Sequence, residues 1–253
     1  MHDREYGAAA TIGIAVPQAN PIVEPEMQAL MPDRVNVIAT RLQGSRTDSR
    51  DRLVGYLHTL ETTLSAFDTA ELDAVGYACT GSTYIVGQAE DARVMAEMED
   101  RFGYPLVSAA AAIKAALVHL GVTRIAVFAP YPQWLADLSI EFWKAEGFDV
   151  VAHAAAPLDP SDTRSVYKVR SAAVLDNVGR LALDRAEALI LTGTGMPTLK
   201  AIGPVAEKLG RPVLSSNLCL AWALQRAAGI GDAMPPPTAT EPLFGGWTGR
   251  LRA

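Results

Sequence analysis

The 253-residue chain is short of the residues that most enzymes of its size use for metal, redox or phosphate chemistry. It has two cysteines, at 79 and 219, too few and too far apart for a disulfide framework, which points to a reducing compartment. Its four histidines, at 2, 58, 119 and 153, have neither metal-ligand spacing nor the spacing of a nucleophile and its base. Positions 58 and 119 fall on predicted helices, in ordinary surface or core roles. Positive charge is in deficit, with 22 Lys and Arg against 28 Asp and Glu, which argues against nucleic acid as a partner. No apolar run approaches the ~18–20 residues a membrane-spanning helix needs. The opening Met1-His2-Asp3-Arg4-Glu5 lacks the basic-then-apolar order of a signal peptide. A soluble cytoplasmic protein is expected. There is no Walker loop, and Gly193-Thr194-Gly195 lacks the third glycine and downstream acid of a dinucleotide fingerprint. Chemistry without a metal or an organic cofactor is the natural expectation.

What the chain does have is a repeated alternation of buried strands and helices. Residues 11–17 (TIGIAVP), 35–42, 73–78 and 105–108 read as strands. Helices are expected over 24–30, 52–67, 88–102 and 109–120, and a polar loop over 44–51. The pattern then restarts. Residues 124–130 (RIAVFAP), 149–155 and 187–192 follow the first three strands at nearly constant offset, and 212–215 is the last strand. Helices are expected over 133–146, 165–185, 197–209 and 216–228, followed by an irregular Pro- and Gly-rich tail. Three offsets in register argue for an internal duplication. Alternation of this kind gives parallel sheets covered on both faces, with ligands beyond the strand C-termini.

The chemistry is expected at those ends. Tyr77-Ala78-Cys79-Thr80-Gly81-Ser82 puts a thiol where a strand stops and a helix starts. Helix N–H groups there would hold an anion and lower the thiol pKa. Laid over the second half without a gap, Thr80 pairs with Thr194, Gly81 with Gly195, and Cys79 falls on Gly193. Cys219 lies within an apolar helical run and reads as core. Tyr131 ends the first strand of the second half, either packed with a wet hydroxyl or donating to a substrate carboxylate. Asn20 is either an Asx-turn residue or a polar anchor. Thr194 either faces Cys79 or caps the following helix. Arg41 and Arg46 read as solvated charges.

These pieces resemble the aspartate/glutamate racemase superfamily, in its branch of maleate cis-trans isomerases and arylmalonate decarboxylases. Residues 16–26 (VPQANPIVEPE) are similar to the isomerases' opening loop, 112–131 to both enzymes, and Met196-Pro197-Thr198-Leu199 to the stretch after the isomerases' second cysteine. The resemblance covers residues 11–228. It implies two pseudo-twofold-related, Rossmann-like lobes, each a four-stranded parallel sheet flanked by helices. Residues 1–115 with 217–253 would form the lobe carrying Cys79, and 116–216 the lobe carrying Tyr131 and Gly193–Gly195. The substrate would be a small carboxylate held between the lobes without metal or cofactor, and the chain a homodimer or higher homo-oligomer. Carried over by position, Cys79 is the first-lobe cysteine; Asn20, Thr80, Gly81, Ser82, Tyr131, Gly193, Thr194 and Gly195 line the carboxylate pockets.

The second-lobe cysteine is replaced by Gly193, which disfavours two-base racemisation. Two single-thiol reactions survive. In the first, Cys79 adds to an activated alkene such as maleate, the new single bond rotates, and elimination leaves fumarate, with Tyr131 or Thr194 assisting at the carboxylates. In the second, a malonate-like acid loses CO2 and Cys79 protonates the enediolate from one face, giving the opposite product hand to the usual decarboxylase. A third reading is a carboxylate-binding protein whose catalysis has lapsed.

Overall fold

The computed structural model of the chain describes residues 4–45, 48–159 and 164–251. Two four-stranded parallel sheets carry the same strand order. The first is β2 (Val35–Leu42), β1 (Ala10–Pro17), β3 (Ala74–Tyr77) and β4 (Leu106–Ser108); the second is β6 (Asp149–Ala155), β5 (Arg124–Ala129), β7 (Ala188–Leu191) and β8 (Val213–Ser215). In each sheet the chain leaves the central strand for one side, then returns to pair on the other. The switch points therefore lie between β1 and β3 and between β5 and β7. The duplication expected from the sequence is present, and the α/β class with it.

The helices are α1 (Val23–Leu30), α2 (Ser49–His58), α3 (Leu60–Ser65), α4 (Thr80–Val86), α5 (Gln88–Phe102), α6 (Ala109–His119), α7 (Gln133–Ala145), α8 (Ser171–Val178), α9 (Leu199–Leu209) and α10 (Ser216–Ala227). The central strands are buried along their length, as parallel strands covered on both faces must be. After β8 the chain crosses back: α10 lies against α6, α1 and β3. Its Leu224 and Leu220 approach Gly76 so closely that a methyl there would sit 2.9 Å from Leu224 Cδ1. The glycine is what lets this helix close on the first sheet.

Two expectations need correction. The single helix over 52–67 is two: the Thr59 backbone leaves helical geometry (φ −101°, ψ 10°), and its hydroxyl turns onto the Gly55 and Gln43 carbonyls. The long helix over 165–185 is a 3-10 turn, Ser165–Lys168, then α8. Val169 and Arg170 are extended between them, and Gly179 follows the last turn. The tail is irregular in backbone but not loose: Leu243, Phe244 and Trp247 are buried, and Arg250 donates to the Ala29 and Leu30 carbonyls at the end of α1. The loop over 44–51 is described except at 46 and 47, so Arg46 lies outside the described residues. Among the described residues, no helix is long and apolar enough to cross a membrane.

Candidate active site

The four loops at the two switch points meet between the sheets. Cys79 is the N-cap residue of α4, with extended backbone (φ −140°, ψ 106°), so the chain leaves β3 and turns into the helix at the sulfur itself. The thiol is 4% exposed. Its neighbours are polar: Ser82 Oγ lies 3.1 Å from Sγ, and the Gly81 and Ser82 amides point at it. Ser82 Oγ donates its single proton to the Leu53 carbonyl at 2.7 Å. The sulfur–oxygen bond must then have the thiol as donor.

This geometry reverses one expectation. Burial pushes the Cys79 thiol up, and the Asp91 carboxylate adds to that, while the Ser82 and Gly81 donors only partly offset them. The thiol is held protonated rather than as a ready thiolate. Carbamidomethylation of Cys79 should therefore be slow at pH 7 and climb as pH passes above the ordinary thiol range, which peptide mapping against pH measures. Cys219 has the same sign: it is fully buried in α10, as the core reading expected, and burial alone raises it. Both folded thiols hold their protons longer than unfolded ones. Their contribution to stability is complete below the ordinary thiol pKa and is lost as pH rises through the folded values.

Across from Cys79, Tyr131 follows β5 and shares a 2.7 Å hydrogen bond with Thr80 Oγ1 and a 3.3 Å bond with Thr192 Oγ1. Tyr84 joins Thr192 at 2.7 Å, so four hydroxyls form a chain between the sheets. Burial raises the Tyr131 hydroxyl pKa, and Cys79 is near enough to raise it further. Gly193 sits beside it with φ +91°, a conformation open to glycine and strained for any L side chain. A Cβ on Gly193 would lie 2.9 Å from Pro130 Cγ and 3.2 Å from the Tyr131 hydroxyl. The tyrosine hydroxyl thus occupies the space that a cysteine at this position would enter. Gly193→Cys should not restore a second thiol. It should lower stability by about 2–3 kcal/mol through backbone strain and overlap with Pro130, measured by denaturant unfolding.

Thr194 does not cap the next helix, which starts at Leu199. It donates to the Ala78 carbonyl at 2.7 Å and accepts from Asn20 Nδ2 at 3.3 Å. Its hydroxyl is committed to joining the two loops rather than facing the sulfur. Asn20 closes an Asx turn, its Oδ1 accepting from the Ile22 amide at 2.8 Å, and its Nδ2 reaches across to Thr194. Gly193 N–H donates to Ser216 Oγ at 2.9 Å. Gly195 faces the Tyr167 ring and the Asn20 amide, and Gly81 packs on Leu53 and Leu135. Arg41 is not simply solvated; it pairs with Glu24 and donates to the Asn20 carbonyl.

Tyr77 belongs to the Tyr77–Ser82 motif itself, whereas two other neighbours of the sulfur, Tyr56 and Tyr167, were not legible from motifs. Tyr56, Tyr77 and Tyr167 are all near enough to Cys79 for its charge to raise their pKa values. Tyr56 falls within the helix expected over 52–67, which gives it no functional signal. Among the described residues, no three His, Cys, Asp or Glu side chains gather in a way that would hold a metal ion.

Comparison with known proteins agrees with this architecture. The maleate isomerase of Pseudomonas putida is 24% identical over 237 residues, covering 88% of this chain and 94% of that protein. The arylmalonate decarboxylase of Bordetella bronchiseptica is 26% identical over 235 residues, covering 92% and 96%. A solved structure of a cysteine-to-serine variant of the Nocardia farcinica maleate cis-trans isomerase, with a covalently bound succinylcysteine intermediate, superposes with a TM-score of 0.79. It is 24% identical and covers 87% of this chain and 93% of that one. The sequence model of the arylmalonate decarboxylase family matches residues 12–238, nearly the whole chain, and the protein belongs to that family.

Proposed function

We propose that the protein is a cofactor-independent isomerase of small unsaturated dicarboxylates, acting on maleate or a close relative through Cys79. The site lies between a lobe of residues 1–115 with 217–253 and a lobe of residues 116–216. The observation that carries the reading is the pairing of one thiol at the N-terminus of α4 with a tyrosine hydroxyl, Tyr131, in the space a Gly193 side chain would take. The likeness to maleate isomerases supports it.

In this reading Cys79 Sγ bonds to one alkene carbon as its thiol proton passes to the adjacent substrate carboxylate, which returns it to the sulfur when the carbon–sulfur bond breaks. The displaced π pair spreads into the adjacent carboxylate. The former double bond, now single, rotates; the pair then re-forms it in the trans geometry and expels Sγ. The enediolate oxygens are held by Tyr131, by Thr80 and by the amides at the start of α4. Asn20 and Thr194 keep the β1 and β7 loops in register around the substrate. Gly193 and Gly195 leave room for it, and Ser82 orients the thiol.

A second reading has its own observation. The thiol is held protonated, which suits a group that gives a proton to an enediolate after a 2-substituted malonate loses CO2. One donor on one face would give a single product hand, opposite to that of the usual decarboxylase.

Proton NMR of maleate with the purified protein separates the two. Fumarate formation supports isomerisation. No fumarate, together with CO2 release from 2-substituted malonates in D2O and deuterium in one configuration, supports decarboxylation. Dicarboxylate binding with no turnover of either substrate leaves only the lapsed binding protein.

A further inference from the structure

We propose that Tyr167 is a specificity-determining residue of this site, its ring closing the cleft over Gly195 and its hydroxyl taking the substrate carboxylate farther from Cys79. The proposal rests on the dicarboxylate reading above. Tyr167 belongs to the 3-10 turn Ser165–Lys168, where its amide donates to the Arg164 carbonyl at 3.0 Å. That turn stands outside both sheets, yet the tyrosine is half-buried. Its ring comes so close to the β7 loop that a Cβ on Gly195 would lie 2.8 Å from Tyr167 Cε1 and 3.6 Å from Asn20 Nδ2. Ring and amide thus converge on the open face of one glycine. Only a residue without a side chain lets the tyrosine sit there.

The hydroxyl is the second part of the argument. Among the described residues none makes a hydrogen bond to it, whereas the Tyr131 and Tyr84 hydroxyls are both engaged. It is also near enough to Cys79 to feel a charge on the sulfur, and near enough to Arg52 to feel the guanidinium. An uncommitted phenol donor, within electrostatic range of a guanidinium and of the thiol, is suited to a carboxylate. The ring limits what else fits. A substituent on the alkene directed at Gly195 would meet Tyr167 Cε1 and Cδ1.

Two variants and two ligands test this. Tyr167→Phe keeps the ring and removes the donor. It should raise KM for maleate, and weaken the Kd of the unreactive dicarboxylate succinate, by about tenfold, with the larger part of any loss in KM rather than kcat. Tyr167→Ala removes the ring and should raise the ratio of kcat/KM for 2-methylmaleate over maleate by about tenfold or more. Unchanged KM and succinate Kd in Tyr167→Phe, or an unchanged substrate ratio in Tyr167→Ala, would overturn the proposal. A parent protein that turns over no maleate removes the isomerase reading alone. Succinate binding by calorimetry then decides for Tyr167: weakening in Tyr167→Phe supports it, and equal affinity, or no binding to the parent, overturns it.

Discussion

Cys79→Ser is expected to lower kcat/KM for maleate by at least about 10³-fold while the protein remains folded. The substitution is nearly isosteric, and a serine hydroxyl can make the same bond to Ser82 Oγ that the thiol makes at 3.1 Å. The α4 N-terminus, the Leu53 contact of Ser82 and the Tyr131–Thr80 bond all remain. What is lost is the greater acidity and polarisability of sulfur; a hydroxyl at this buried position has no base beside it to make it react. Dicarboxylate affinity should change little, because the carboxylates are assigned to Tyr131, Thr80, Tyr167 and backbone amides. Steady-state kinetics by NMR and succinate calorimetry on the same preparation measure both halves. A Cys79→Ser protein that retains a tenth of the parental turnover would mean that the sulfur is a bystander.

Glu26→Ala is expected to cost about 3 kcal/mol of stability and to lower the melting temperature by roughly 10 °C. Glu26 lies on α1 but is spent on the other half of the molecule. Its Oε1 accepts the Thr198 amide at 2.6 Å and the Leu199 amide at 3.2 Å, and its Oε2 accepts Asn217 Nδ2 at 2.8 Å. It is in effect the cap of α9, supplied from a distant helix, with its charge at the helix N-terminus. Burial holds its carboxyl above the ordinary carboxylate range despite those donors. Alanine would leave buried amides and the Asn217 amide without that acceptor. The effect should reach the site as well, because Asn217 also donates to the Thr194 carbonyl at 3.1 Å. Glu26→Gln keeps one acceptor oxygen and should lose clearly less. Thermal melts of the three proteins measure this, and equal melting temperatures for Glu26→Ala and parent would contradict it.

The two halves were legible because duplicated buried strands write their pattern directly into the sequence. Residues 11–17 and 124–130 are apolar runs closed by proline, and they became β1 and β5. The loops followed, since chain order alone puts Cys79, Asn20, Tyr131 and Gly193 at the strand ends. Interactions across the halves were not legible. No spacing rule pairs Glu26 with Thr198, or tells that the Thr194 hydroxyl turns to Ala78 instead of the sulfur. Gly193 read as a lost cysteine; its positive φ and the Tyr131 hydroxyl beside it are properties of the folded chain. The Cys79 pKa went the wrong way because a helix N-terminus is visible in sequence and desolvation is not. Tyr167 was hidden inside a helix expected over 165–185, which the extended residues at 169 and 170 interrupt.

The central claim is that one sulfur forms a bond to the substrate between two duplicated lobes. Acid-quenching the parent protein with maleate, digesting it and mapping the peptides by mass spectrometry reads that bond directly. The account predicts a succinyl adduct on the peptide containing Cys79, none on Cys219, and none anywhere in Cys79→Ser. Fumarate formed by the parent and by Cys79→Ser alike, with the Cys79 peptide unmodified throughout, would contradict it.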